Sequence, residues 1–159
     1  MKQLIKLILV AAFGISSLVT APVQAANDSA TVNVTINLTS KCVFGAIAPV
    51  AFSYTSFQAT AASSTGGTFN VKCTNTLPYK IGFSAAATPA ATDAVTDAAV
   101  NLAYTLSMSA AAGTGSGVDQ AYTVSGSMAS AQAGTCATTG GACTNSGSAN
   151  NTRTVYVVY

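Results

Sequence analysis

From Ala30 to Leu38 the chain alternates without a break: Ala30, Val32, Val34, Ile36 and Leu38 are apolar, and every residue between them is Thr or Asn. On an extended backbone that period of two puts all five apolar side chains on one face. The stretch therefore predicts a strand with one greasy side. No Asn-Gly or Asp-Gly follows to fold it back as a hairpin. It is expected to seek its partner outside its own domain, although the same alternation also suits the first strand of an ordinary sandwich.

The period of two returns along the chain. Phe69, Val71 and Cys73 alternate with Asn70 and Lys72, and Tyr79, Ile81 and Phe83 repeat the pattern. Leu102, Tyr104, Leu106 and Met108 give the cleanest internal strand, Tyr122 and Val124 a short one, and Thr154 to Tyr159 an apolar run. Cys42 to Tyr54 is interrupted by Gly45 and Pro49, which suits a strand with a bend or bulge at a sheet edge. Ser63–Gly67, Thr74–Pro78, the Ala/Thr-rich span around Pro89, Gly113–Gly117 and Gly126–Ser148 read as loops. Six or seven short strands and no helical periodicity after residue 25 predict an all-β sandwich. If the Thr154–Tyr159 strand lies at the edge of a groove, its main-chain groups are left unpaired beside an open core, and the sandwich is incomplete.

The first 25 residues read as a secretory signal peptide. Lys2 and Lys6 precede an apolar core from Leu7 to Val19, and Val23-Gln24-Ala25 has the small-residue pattern of a cleavage site. The apolar run is shorter than the roughly 20 residues that cross a bilayer. About 134 residues then remain, enough for one domain with a core. In them Lys41, Lys72, Lys80 and Arg153 balance Asp28, Asp93, Asp97 and Asp119. A neutral, sparsely charged surface offers nothing to phosphates, so nucleic acid is excluded as a partner.

All four cysteines fall in the exported part, where an even count argues for disulfides rather than metal or redox chemistry. Three pairings are possible. Cys42 with Cys73 and Cys136 with Cys143 is preferred, because the second pair brackets the flexible stretch Ala137–Ala142 that can bring its ends together.

Catalytic chemistry is scarce. The chain has no His, Glu or Trp, which removes the common general base, the Ser-His-Asp arrangement and most zinc sites. Asp93 and Asp97 are expected to be solvated in an Ala/Thr loop without a basic or aromatic neighbour to tune them. Gly113-Thr114-Gly115-Ser116-Gly117 lacks the Lys and the helix start of a phosphate loop and reads as a turn. No enzyme, metal or cofactor is expected.

Taken together, a free alternating strand, Cys42 soon after it, Gly66-Gly67-Thr68-Phe69-Asn70-Val71-Lys72-Cys73, Asn101-Leu102-Ala103-Tyr104, Gln132-Ala133-Gly134 and a Val-rich final strand resemble the spore coat protein U domain. That family includes the pilins of archaic, Csu-type chaperone-usher pili. The resemblance implies an incomplete immunoglobulin-like β-sandwich of pilin type, missing its last strand. It implies residues 26–39 as a donor strand and residues 40–159 as the pilin-type domain. Val32, Val34, Ile36 and Leu38 would enter the groove of a neighbouring subunit, an example of strand addition, and Cys42 with Cys73 would be the family bridge. The partners implied are copies of itself or sibling pilins, a periplasmic chaperone and an outer-membrane usher. The route is secretion through the periplasm to a cell-surface pilus that supports adhesion and biofilm formation. The alternative is a monomeric secreted binding module whose loops near Tyr54, Phe57 or Tyr122 grip carbohydrate or another surface.

Overall fold

The alternating segments find their partners in two antiparallel sheets. The computed structural model describes residues 26–159, and the expected signal peptide over residues 1–25 lies outside the described residues. The larger sheet is built from β1 (Cys42–Phe44), β2 (Ala62–Cys73), β7 (Gln120–Met128), β5 (Ala103–Met108) and β4 (Thr92–Thr96), in that spatial order. The smaller sheet places β6 (Ala112–Thr114), β3 (Pro78–Gly82) and β8 (Tyr156–Val158) side by side. There is no helix among the described residues. The fold is an all-β, incomplete immunoglobulin-like sandwich.

Its core follows from the period of two. Gly67, Phe69, Val71 and Cys73 on β2 turn inward while Thr68, Asn70 and Lys72 stay exposed, and Tyr122, Val124, Gly126 and Met128 do the same on β7. From the facing sheet Tyr79 and Ile81 are buried against them. The rings of Phe69 and Tyr122 stack with centroids 5.7 Å apart, and the Tyr122 and Tyr79 hydroxyls meet at 2.6 Å. Burial, with the Tyr122 hydroxyl beside it, pushes the Tyr79 phenol well above its ordinary value. Two disulfides are present among the described residues. Cys42 and Cys73 sit opposite one another on β1 and β2 and are bonded, and Cys136 is bonded to Cys143.

Several expectations are corrected. Ser63–Gly67 is not a loop but part of β2, with one extra residue bulged between Ser64 and Gly67 relative to β7. Its glycines serve a close approach. A side chain at Gly66 would meet the Pro49 carbonyl, and one at Gly67 would meet Val50 and Val124. β7 likewise continues to Met128, past the loop expected from Gly126, because that glycine lies beneath the Phe52 ring. Thr92–Thr96, read as loop, is the edge strand β4; alternation among Ala and Thr carries too little hydropathy contrast to be legible. Ala112–Thr114 overlaps the expected turn as the short strand β6.

At the beginning of the domain, only Cys42–Phe44 of the long segment Cys42–Tyr54 is a strand. Gly45 and Ala48 still donate to the Asn70 and Thr68 carbonyls, after which the chain leaves β2 at Pro49. Pro49 has no N–H to continue the ladder. Residues 37–159 form one compact unit, and residues 26–36 lie outside it. Residues 26–41 carry no strand assignment although 30–38 alternate perfectly, since alternation makes a strand only when a ladder partner is present.

The Cys42–Cys73 bridge closes a 31-residue separation. Replacing both cysteines with Ser is expected to lower unfolding stability by about 4 kcal/mol, read as a shift in the urea midpoint of the isolated domain.

Candidate functional site

The chain that leaves β2 at Pro49 does not join the smaller sheet. From Val50 to Tyr54 it runs over the inner face of the larger sheet, Val50 against Gly67 and Gly126 and the Phe52 ring 6.2 Å from that of Tyr104. Among the described residues, no main-chain N–H or C=O from Val50 to Tyr54 makes a hydrogen bond. The last strand is in the same condition on one side. β8 pairs with β3 through Lys80–Val158, Ile81–Val157 and Gly82–Tyr156, and it is the outermost strand of its sheet. Among the described residues Thr152–Val155, which lead into it, also lack main-chain partners.

Between these two edges lies a groove of about 660 Å³. Ile47–Phe52 and Tyr54 form one wall, Thr152, Arg153 and Val155 the other, and Leu106, Val124 and Met128 lie in the floor. Leu106 and Val124 belong to the buried core itself. The site is therefore a slot with an apolar floor and one polar end, bordered on both sides by main-chain groups that have no protein partner among the described residues. Such a border is a template for one more strand.

One end of the groove is pinned by polar contacts. Asp97 is 1% exposed and is the buried charged residue of the described chain. One carboxylate oxygen accepts from the Ala99 and Val100 N–H groups at 2.8 and 3.1 Å, and the other accepts from the Asn145 amide at 3.2 Å. Asn150 donates its amide to the Thr96 carbonyl at 3.0 Å, and the Tyr104 hydroxyl donates to the Asn150 carbonyl at 2.6 Å. Arg153 pairs with Asp93 at 2.6 Å. These bonds fasten the loop after Cys143 to β4 and β5, and so fix the approach to β8.

This overturns the expectation of solvated carboxylates. Asp93 does have a basic neighbour, supplied by Arg153 sixty residues away, and Asp97 is enclosed. Burial would raise the Asp97 carboxyl, but the N–H donors of Val100 and Ala99, the Asn145 amide and the Ser148 hydroxyl outweigh it and hold it below its ordinary value. Burial raises the Tyr104 phenol, opposed by the Arg153 guanidinium. Tyr122, expected near a binding loop, is in the core, and the Tyr54 hydroxyl is used internally, donating to the Ala129 carbonyl. Among the described residues no group of three or more His, Cys, Asp or Glu is placed to hold a metal ion.

The sequence profile of the Spore Coat Protein U domain matches residues 28–159. The chain belongs to that family. Spore Coat Protein U domains are structural, pilin-type domains associated with pilus subunits of chaperone-usher type, and not enzymes. No significant match to the chain is found among curated proteins or solved structures. The match begins at Asp28, so the family's extent takes in the alternating stretch as well as the sandwich.

Of the residues singled out from the sequence, Val32, Val34, Ile36 and Leu38 are each at least 75% exposed. The groove walls were not legible as such. Ile47–Phe52 reads as an ordinary edge strand, and Asp97, Asn145, Asn150 and Arg153 are scattered over more than fifty residues of low-contrast sequence. The one local signal is Asp97 followed by N–H groups two and three residues on, a side-chain turn that Asp readily makes.

The depressed Asp97 carboxyl supplies stability that is present above its unfolded value of 3.8 and is lost as pH falls through its lower folded value. Asp97→Ala is expected to lower the melting temperature at neutral pH, and the gap from the parent protein should close in acid below pH 3.8. Thermal unfolding followed by circular dichroism across that range checks both.

Proposed function

We propose that this chain is a structural subunit of a chaperone-usher surface pilus that polymerises by donor-strand exchange. In this reading residues 1–25 are a cleaved signal peptide, residues 26–39 are the donor strand, and residues 40–159 are the sandwich that receives the donor strand of the next subunit. Val32, Val34, Ile36 and Leu38 are the side chains that fill the neighbour's groove. The partners are copies of itself or sibling pilins, a periplasmic chaperone that occupies the groove before assembly, and an outer-membrane usher. The fibre is displayed on the cell surface and supports adhesion and biofilm formation.

The observation that carries the reading is the pairing of deficits. The sandwich has two unpaired edges around an apolar slot, and the same chain carries a nine-residue apolar-faced segment with no ladder of its own. Burying two Val, one Ile and one Leu is worth roughly 6 to 12 kcal/mol, while ordering nine residues costs roughly 9 to 18 kcal/mol. Side chains alone do not hold the segment. Ladder bonds at about 0.5 to 1.5 kcal/mol each, made to both walls, tip the balance. That requirement matches a slot with two free edges better than a groove with one.

Removing residues 26–39 should leave a folded acceptor that binds a synthetic peptide of residues 27–39 slowly and tightly, measured by gel filtration and native mass spectrometry. Val34→Asp or Ile36→Asp should abolish polymers without unfolding the chaperone-bound subunit. Fibres of normal length from either variant would overturn the reading.

A further inference from the structure

One large side chain is placed against both of its local preferences. Phe57 is 72% exposed, and its backbone lies in the left-handed region at φ 63°. That region is unfavourable for a bulky residue and readily adopted by Gly or Asn. Neither burial nor backbone propensity explains a phenylalanine there, and an observed outlier of this kind points to a role outside the fold.

The loop that carries it is held rigidly. The Phe57 N–H donates to the Gln132 carbonyl at 2.9 Å, and the Ala131 N–H donates to the Gln58 carbonyl at 2.8 Å. The Ser56 hydroxyl donates to the Ala133 carbonyl at 2.5 Å, and the Gln58 side chain caps its own turn at Thr55 and Thr60. Gln132 in turn bonds both main-chain groups of Ala103. The ring is thus presented on two loops tied to β5, and those loops, residues 54–62 and 129–135, contain no charged residue.

Its place in the sandwich decides what faces it. β2 begins and β7 ends at Ala62–Met128, and Tyr54 is tied to Ala129 there, so the Phe57 loop sits at the same end as the start of β5. The pinned end of the groove, where Arg153 leads toward β8, is at this end too. The chain enters the sandwich at the opposite end, where Cys42 meets Cys73. That opposite end also displays Val118, 63% exposed, on a turn fixed by bonds from Gly117 to the Cys73 carbonyl and from Gly115 to the Leu77 carbonyl. If the leading segment of each copy entered its neighbour's groove from the Cys42–Cys73 end, like ends would meet, an arrangement that lets a pair close on itself; insertion from the Phe57 end joins unlike ends and propagates head to tail as an open fibre. The link from Leu38 to Cys42 spans at most about 14 Å, so the two bodies are held within touching distance.

On the basis of that fibre reading, we propose that Phe57 is a docking anchor between neighbouring subunit bodies, packing on the Gly115–Asp119 turn around Val118 of the copy whose leading segment fills its groove. The contact is short-ranged and centred on two apolar side chains, Phe57 and Val118. It makes the joint stiff, where the peptide link alone leaves a hinge.

The test uses polymers assembled from the full chain with benzoylphenylalanine at position 57. Irradiation should join position 57 to residues 115–119 of a second copy, identified by mass spectrometry. Phe57→Asn, which suits the left-handed backbone, should leave the subunit folded and the polymers resistant to detergent, while lowering their bending persistence length in electron micrographs, since an aromatic anchor at the joint is lost. Val118→Ser should do the same. Polymers that assemble and depend on Val34, but give no such adduct and keep their stiffness in Phe57→Asn, overturn the docking contact and leave strand exchange standing. A parent chain that forms no polymer overturns both.

Discussion

A main-chain amide without a partner is tolerable in water and costly beside a dry core. Among the described residues two stretches without main-chain partners, Val50–Tyr54 and Thr152–Val155 leading into the edge strand β8, border the same slot over the apolar core. The rest of the structure is arranged around that deficit. The Cys42–Cys73 bridge and the β1–β2 ladder hold the first wall to the larger sheet up to Ala48. Pro49 then releases it, and Gly66, Gly67 and Gly126 leave room for it to cross.

The second wall is secured by polar rather than apolar means. Its lead-in is a Ser/Asn-rich loop with little to bury, so packing cannot position it. Asp97 does so with main-chain N–H groups and the Asn145 amide, assisted by the Tyr104–Asn150–Thr96 connection and the Arg153–Asp93 pair. A buried carboxylate is stable here because each of its oxygens has a donor. The same bonds that satisfy it place Val155 at the rim of the groove, linking a local electrostatic arrangement to the site.

Family membership and geometry meet at this point. A pilin-type domain that lacks a strand has to expose acceptor edges, and a fibre-forming chain has to carry a segment able to satisfy them. From residue 26 onward four basic and four acidic side chains cancel, which is consistent with close packing of many copies, since few like charges oppose their approach. Under the proposed strand exchange, the exposed Phe57 and Val118 at opposite ends of the sandwich extend the same logic from the strand to the bodies that it would join.

The sequence by itself determined the sheet class, the strands with strong apolar contrast and the apolar-faced segment ahead of Cys42, because a period of two among Val, Ile, Leu, Phe and Tyr is a local property. It also favoured the pairing of cysteines that the structure contains, through the short flexible stretch between Cys136 and Cys143. Only the tertiary structure decided where the sandwich is open. Strand order, the departure of the chain at Pro49, the bulge at Ser64–Gly67 and the joining of Asp97 to Asn145 and of Asp93 to Arg153 all depend on contacts between residues far apart in the chain. Ala, Ser, Thr and Gly stretches such as Thr92–Thr96 carry almost no hydropathic signal, so their place is set by the ladders offered to them rather than by their own side chains.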